Sequence, residues 1–123
     1  MAMWNGETTN DDEEKIATGG IKYDAGKSPI YRGAVSYFPR AIAEVARVSG
    51  FGASKYAWEG WRLVDDGIAR YSDGMVRHLA EEGKGEVLDS DSGFLHAAHT
   101  AWNALARLEL MLTEMENPNQ EKD

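Results

Sequence analysis

The stretch SGFLHAAHTAWNALARLELMLTEM, residues 92–115, decides how this chain folds. Phe94, Leu95, Ala98, Ala101, Trp102, Leu105, Leu108 and Leu112 recur at helical spacing and draw a wide apolar stripe, and Asn117-Pro118 stops the run. The spacing predicts a long helix over 92–115. Within it, His96, His99 and Asn103 stand at i, i+3 and i+7, a polar seam on an otherwise apolar helix. An unpaired polar group in a core costs roughly 1–3 kcal/mol, so a buried seam needs partners, either backbone and neighbouring side chains or a ligand.

Working outward, Ile68, Tyr71, Met75, Val76 and Leu79 predict a second helix over 65–82, with Asp65 or Asp66 as its cap and Gly83-Lys84-Gly85 as its stop. Pro39 suits the first turn of a helix over 39–49, with Ile42, Val45, Ala46 and Val48 on one face and Gly50 as the breaker. A short helix or turn is expected over 53–58. Residues 20–36, rich in Gly, Pro and basic groups, read as a loop that a ligand would order. No run alternates with period two, so the expected fold is all-α, a compact bundle of three to four helices. The acidic segment 1–19 is expected to be mobile, 20–116 to be one all-α catalytic domain, and 117–123 a polar tail. The middle turns of the third helix are apolar nearly all round. That points to burial on more than one side, and so to a homo-oligomer, a dimer or a tetramer.

Composition sets limits on function. The chain of 123 residues is long enough for one core. A net charge of −8 argues against direct nucleic-acid binding, although local Lys and Arg can still meet a phosphorylated small molecule. With no cysteine, thiolate metal sites and disulfides are excluded. No apolar run approaches the ~18 residues of a membrane span, and a cytoplasmic protein is expected.

All three histidines fall between Arg77 and Asn103, beside Glu86-x-x-Asp89. Imidazoles and carboxylates hold divalent metals, and an E-x-x-D pair can serve one ion. The plainer alternative is that Arg77 and His78 complement a helix C-terminus while the acids cap the next helix. Upstream, Lys22, Asp24 and Lys27 share a glycine-containing loop that could grip phosphates, though it lacks P-loop spacing. Lys55, Tyr56, Trp58 and Trp61 put aromatic faces beside a cation, suited to a base and its phosphates or simply to a core.

The ordered set K-Y-D-x-G-K, F-G-A-x-K-Y…W, R-Y…R-H…G-E-x-x-D-x-x-S-G-x-x-H-x-x-H-x-x-x-N covers about residues 20–112 and resembles a phage family of dATP/dGTP diphosphohydrolases. Members of that family are similar to MazG-type all-α nucleotide pyrophosphohydrolases and accompany pathways that replace adenine with 2-aminoadenine. The resemblance implies metal-dependent hydrolysis of purine deoxynucleoside triphosphates to monophosphate and pyrophosphate in a host cytoplasm, adjusting the dNTP pool for phage DNA synthesis. It implies Mg²⁺ or Mn²⁺, with Co²⁺ a further option, held by Glu44, Glu86, Asp89, His96 and His99. His78, Glu86 and Asp89 would be catalytic. Lys22, Asp24, Lys27, Lys55, Tyr56, Trp58, Trp61, Arg77 and Asn103 would bind substrate. Two alternatives stay open: a triphosphohydrolase of the HD type, whose His-Asp dipeptide is missing here, and a nucleotide-binding phage protein without turnover.

Overall fold

A computed structural model describes residues 23–117. Lys22, the acidic segment 1–19 and all but the first residue of the polar tail lie outside the described residues. The chain parts into two units between Pro39 and Arg40. In the first, Lys27 N–H donates to Asp24 C=O across a turn (3.2 Å), Gly26 takes φ +89°, and a single π turn spans Tyr31–Val35. The expected loop over 20–36 therefore contains one helical turn.

The second unit is built on three helices. Helix α1 spans Pro39–Lys55, starting on the last residue of the first unit; α2 spans Gly67–Gly83 and α3 His96–Glu116. A 3-10 turn, Gly60–Leu63, joins α1 to α2. The fold is all-α; among the described residues the one β-like contact is an isolated bridge between Leu88 and Leu95. No helix among them is long and apolar enough to cross a membrane.

Three expected boundaries move. Helix α1 does not stop at Gly50 but continues through Gly50 and Gly52, absorbing half of the turn expected over 53–58. Two interior glycines cost about 1 kcal/mol each, and the ring of Phe51 between them offsets part of this by packing edge-on against Phe94 (5.7 Å). Asp66 does precede α2, but in a left-handed conformation (φ 55°) and with no side-chain capping bond. Helix α3 begins at His96 rather than Ser92, because the Ser92 hydroxyl is occupied elsewhere and Gly93 turns the chain at φ +78°.

Helices α2 and α3 form the main packed pair. Their antiparallel register is set by close approach at two glycines one heptad apart. A Cβ on Gly67 would lie 2.8 Å from Leu110 Cδ1, and one on Gly74 would lie 2.8 Å from Asn103 Oδ1. One more turn along, His78 faces His99 with the rings stacked (centroids 4.4 Å, 8° apart). Among the described residues the buried apolar core is small, namely Val48, Ala98 and Ala106, while His96, His99 and Asn103 are the buried polar side chains. Leu105, Leu108 and Met115 on α3 and Val76 and Leu79 on α2 are at least half exposed.

Candidate functional site

The polar seam of α3 is buried, and the α2–α3 register explains how it finds partners. His96 is 2% exposed and uses both ring nitrogens: Nε2 meets Glu86 Oε1 and Nδ1 meets His78 Nδ1, each at 2.8 Å. A carboxylate only accepts, so His96 donates from Nε2; with one ring proton it is then bare at Nδ1. His78 must then donate from its own Nδ1. One proton arrangement thus runs from His78 through His96 to Glu86.

A second chain of bonds holds His99. Asp89 Oδ2 accepts from the Ser92 hydroxyl (2.8 Å) and from the Ser92 backbone N–H (2.9 Å). The hydroxyl proton being spent, Ser92 Oγ accepts from His99 Nε2–H at 2.7 Å, which leaves His99 bare at Nδ1. The Ser92-Gly93 turn that delays the start of α3 is what brings Asp89 and the two α3 histidines together.

The electrostatics follow from this crowding. Burial holds the His78 and His99 imidazoles below their usual range, and the stacked or adjacent imidazoles add to the effect while Asp89 opposes it. Burial pushes the Asp89 carboxyl up, but the two Ser92 bonds and the nearby histidines outweigh it and leave the group lowered. The His78 and His99 imidazoles are therefore neutral and the Asp89 carboxylate ionised near neutral pH.

Beside it lies a pocket of about 840 Å³ between α1, the 3-10 turn, α2 and α3. Lys55, Tyr56, Trp58, Trp61, Arg77, His99 and Asn103 all line it, so seven of the expected site residues share one cavity. At one end Trp61, Tyr71 and Trp102 meet edge to face with centroids 5.4–6.2 Å apart, braced by Tyr71 O–H to Trp61 C=O (2.7 Å) and Trp102 Nε1–H to Ser49 Oγ (2.8 Å). At the other end stand His99 and Lys55, whose Nζ lies over the Phe51 ring (4.6 Å) and pairs with Asp91 (2.6 Å). Arg70, Asp73, Gly74 and Arg77 form one stripe of α2 along the wall. Neither Arg70 nor Arg77 is in an ion pair with a described residue.

The chain matches the family model described as dATP/dGTP diphosphohydrolase, N-terminal, over residues 17–120. It belongs to that family. A dATP/dGTP diphosphohydrolase of Salmonella phage PMBT28 is 39% identical over 82 residues, which are 67% of this chain and 26% of that protein. The chain thus aligns with about a quarter of its phage relative's length. No solved structure matches it.

Within this family member, one donor atom each from His78, Asp89 and His96 lie within 4.8 Å of one another. The set fits a divalent ion by its chemistry: two imidazoles and an ionised carboxylate, with a second carboxylate meeting one ring from behind. Glu86, expected as a ligand, meets His96 Nε2 and lies outside the donor group of His78, Asp89 and His96. His99 is committed to Ser92. Glu44 faces Arg47 at 3.0 Å and is not in the group. Asp24 and Lys27 belong to the first unit and are exposed there. Arg70 and Ser92 were missed as candidates. Arg70 stands one heptad before Arg77, a spacing that marks one helix face, whereas nothing in the sequence signals the double role of Ser92.

Proposed function

We propose that this chain hydrolyses dATP and dGTP to the nucleoside monophosphate and pyrophosphate with the help of a divalent metal. The observation that carries this reading is His99, which lines the aromatic and cationic pocket and also stacks on His78 of the metal-donor cluster. A nucleotide in the pocket would therefore have its phosphates beside the cluster. The family name and the phage relative's name support the same substrates.

His78, Asp89 and His96 would hold the ion, and two imidazoles favour Mn²⁺ or Co²⁺ over Mg²⁺. Bound there, it would polarise a phosphoryl oxygen and lower the pKa of water. The chain's own groups do the rest. The purine stacks on the Trp61–Tyr71–Trp102 end, and Tyr56 and Trp58 flank the mouth. Arg77 and Lys55 offset the charge of the pyrophosphate leaving group. His99, bare at Nδ1, takes the proton of the attacking water in place of His78, which we assign to the metal. Glu86 keeps His96 in the tautomer whose Nδ1 is free to ligate. In a phage-infected cell such a reaction would withdraw dATP from the pool and supply dGMP.

We further propose that the chain works as a homo-oligomer. Leu105, Leu108 and Met115 repeat along one face of α3 while only three apolar side chains among the described residues are buried, which supports a second copy over that face.

The deciding experiment incubates the protein with each dNTP and NTP plus Mn²⁺ and resolves the products by anion exchange. Monophosphate and pyrophosphate from dATP or dGTP, abolished by chelator and by Asp89→Ala, are expected. Tripolyphosphate would mean the HD type of chemistry, and no turnover of any nucleotide by folded, metal-loaded protein would sink the reading.

A further inference from the structure

Asn103 is 8% exposed and lines the pocket one helical turn from His99. Its Nδ2–H donates to His99 C=O at 2.8 Å, which fixes the plane of the carboxamide and leaves Oδ1 as the outstanding acceptor. No described residue donates to Oδ1, yet Oδ1 is not among the sealed, unsatisfied atoms of the fold, so it keeps solvent access, and Asn103 and Gly74 both line the cavity. The space it occupies exists because residue 74 lacks a side chain: a Cβ there would stand 2.8 Å from Oδ1. Gly74 is itself buried in the middle of α2, where glycine is about 1 kcal/mol worse than alanine. That helix penalty is explained if the carboxamide must sit where it does.

An acceptor on a side chain more than nine-tenths buried, in a cavity also lined by Trp61, Tyr71 and Trp102, demands a donor, since leaving it dry forfeits a hydrogen bond. We infer that Asn103 Oδ1, on the floor made by Gly74, reads an N–H donor on the edge of the purine and so selects bases that carry one. Adenine offers its exocyclic amino group and guanine its ring N–H and exocyclic amino group, whereas unsubstituted purine offers none. The inference rests on the nucleotide reading above. It adds a named residue that selects by the base edge, independently of the phosphates.

The test compares the non-hydrolysable α,β-imido triphosphates of 2′-deoxyadenosine and of purine 2′-deoxyriboside, titrated against the fluorescence of the pocket tryptophans in the full chain. Wild type should bind the adenine analogue about tenfold or more tightly, the worth of one hydrogen bond with some desolvation. Asn103→Leu should bring the two affinities within about twofold of each other while binding of the purine analogue holds. Gly74→Ala, which crowds Oδ1 without removing it and favours the helix, should narrow the ratio in the same direction, and it decides the matter if Asn103→Leu does not fold. Equal binding of both analogues by wild type overturns the inference with nucleotide binding intact. So does a parallel weakening of both in the variants, which is what a merely structural Asn103 predicts. If wild type binds neither analogue, the nucleotide reading itself fails and this inference fails with it.

Discussion

His78 and His96 meet nitrogen to nitrogen, Nδ1 to Nδ1, at 2.8 Å, although they belong to different helices. Two imidazole lone pairs brought together in this way share a proton or an ion, and Asp89 completes the donor set. Replacing either ring should abolish the rise in Tm that Mn²⁺ produces. Saturating metal at 100-fold its Kd stabilises by about 2.7 kcal/mol, a shift of several degrees for a chain of this size. Thermal melts of wild type, His78→Ala and His96→Ala with and without Mn²⁺ check this. A full metal-induced shift in both variants would remove the cluster as the metal site.

Glu86 gives a separable effect, because it touches the His96 ring from the side opposite His78. Glu86→Ala should leave a site that still binds Mn²⁺ but about 10–100-fold more weakly, the usual penalty for losing the group that orients a ligating histidine. Isothermal titration against Mn²⁺ distinguishes this from the outcome expected of a direct ligand, which is loss of binding.

Acidification should destabilise the metal-free protein through the same cluster. His78 and His99 are held below 6.5, first by burial and then by neighbouring imidazoles, so just below that pH the unfolded chain binds more protons than the folded one. Stability contributed by these groups is then present above about 6.5 and is lost as pH falls through that value toward their folded pKa values. Asp89, lowered in the fold, adds a loss of the same sign at more acid pH. The net charge of −8 works against this, since acid relieves repulsion, so the readout is a difference. Between pH 7.5 and 5.5, Tm should fall further for wild type than for His78→Gln; equal slopes would contradict the assignment.

How far these positions were legible in the sequence depends on what each one needs. The α3 stripe and its seam at 96, 99 and 103 follow from helical periodicity alone, and the structure buries all three seam residues. The end of α3 near Met115 was legible for the same reason. Its beginning was not. Ser92 reads as the first residue of the helix, but its hydroxyl joins Asp89 to His99, a contact seven residues away that no local rule contains. Gly50 reads as a breaker because propensity is local, and the Phe51–Phe94 contact that opposes it is not. The distinction between Glu86 as ligand and Glu86 as orienting group turns on which nitrogen of His96 it meets, and only three-dimensional geometry carries that.

Arg77 and Lys55 invite a test of where the phosphates lie. Arg77 pairs with no described acid, so its guanidinium is available to an anion, whereas Lys55 must first leave Asp91. A charge-assisted hydrogen bond is worth about 1.5–3 kcal/mol, so Arg77→Ala should lower kcat/KM for dATP by about 10–100-fold. Asp91→Asn, which frees Lys55, should instead lower KM. If Arg77→Ala leaves kcat/KM unchanged, the phosphates are bound elsewhere.

The exposed stripe on α3 yields the last prediction. Leu105 and Leu108 are each half exposed on the face of α3 away from its buried seam, where a monomer gains nothing by keeping them apolar. If a second copy covers them, a charge there is buried without a partner, and association should collapse while the α2–α3 pair, held by Gly67 and Gly74, persists. Leu105→Glu and Leu108→Glu should therefore run as monomers in light scattering while keeping the helical circular dichroism of wild type. A monomeric wild type at micromolar concentration, or an oligomer indifferent to both charges, would show that this face is not the interface.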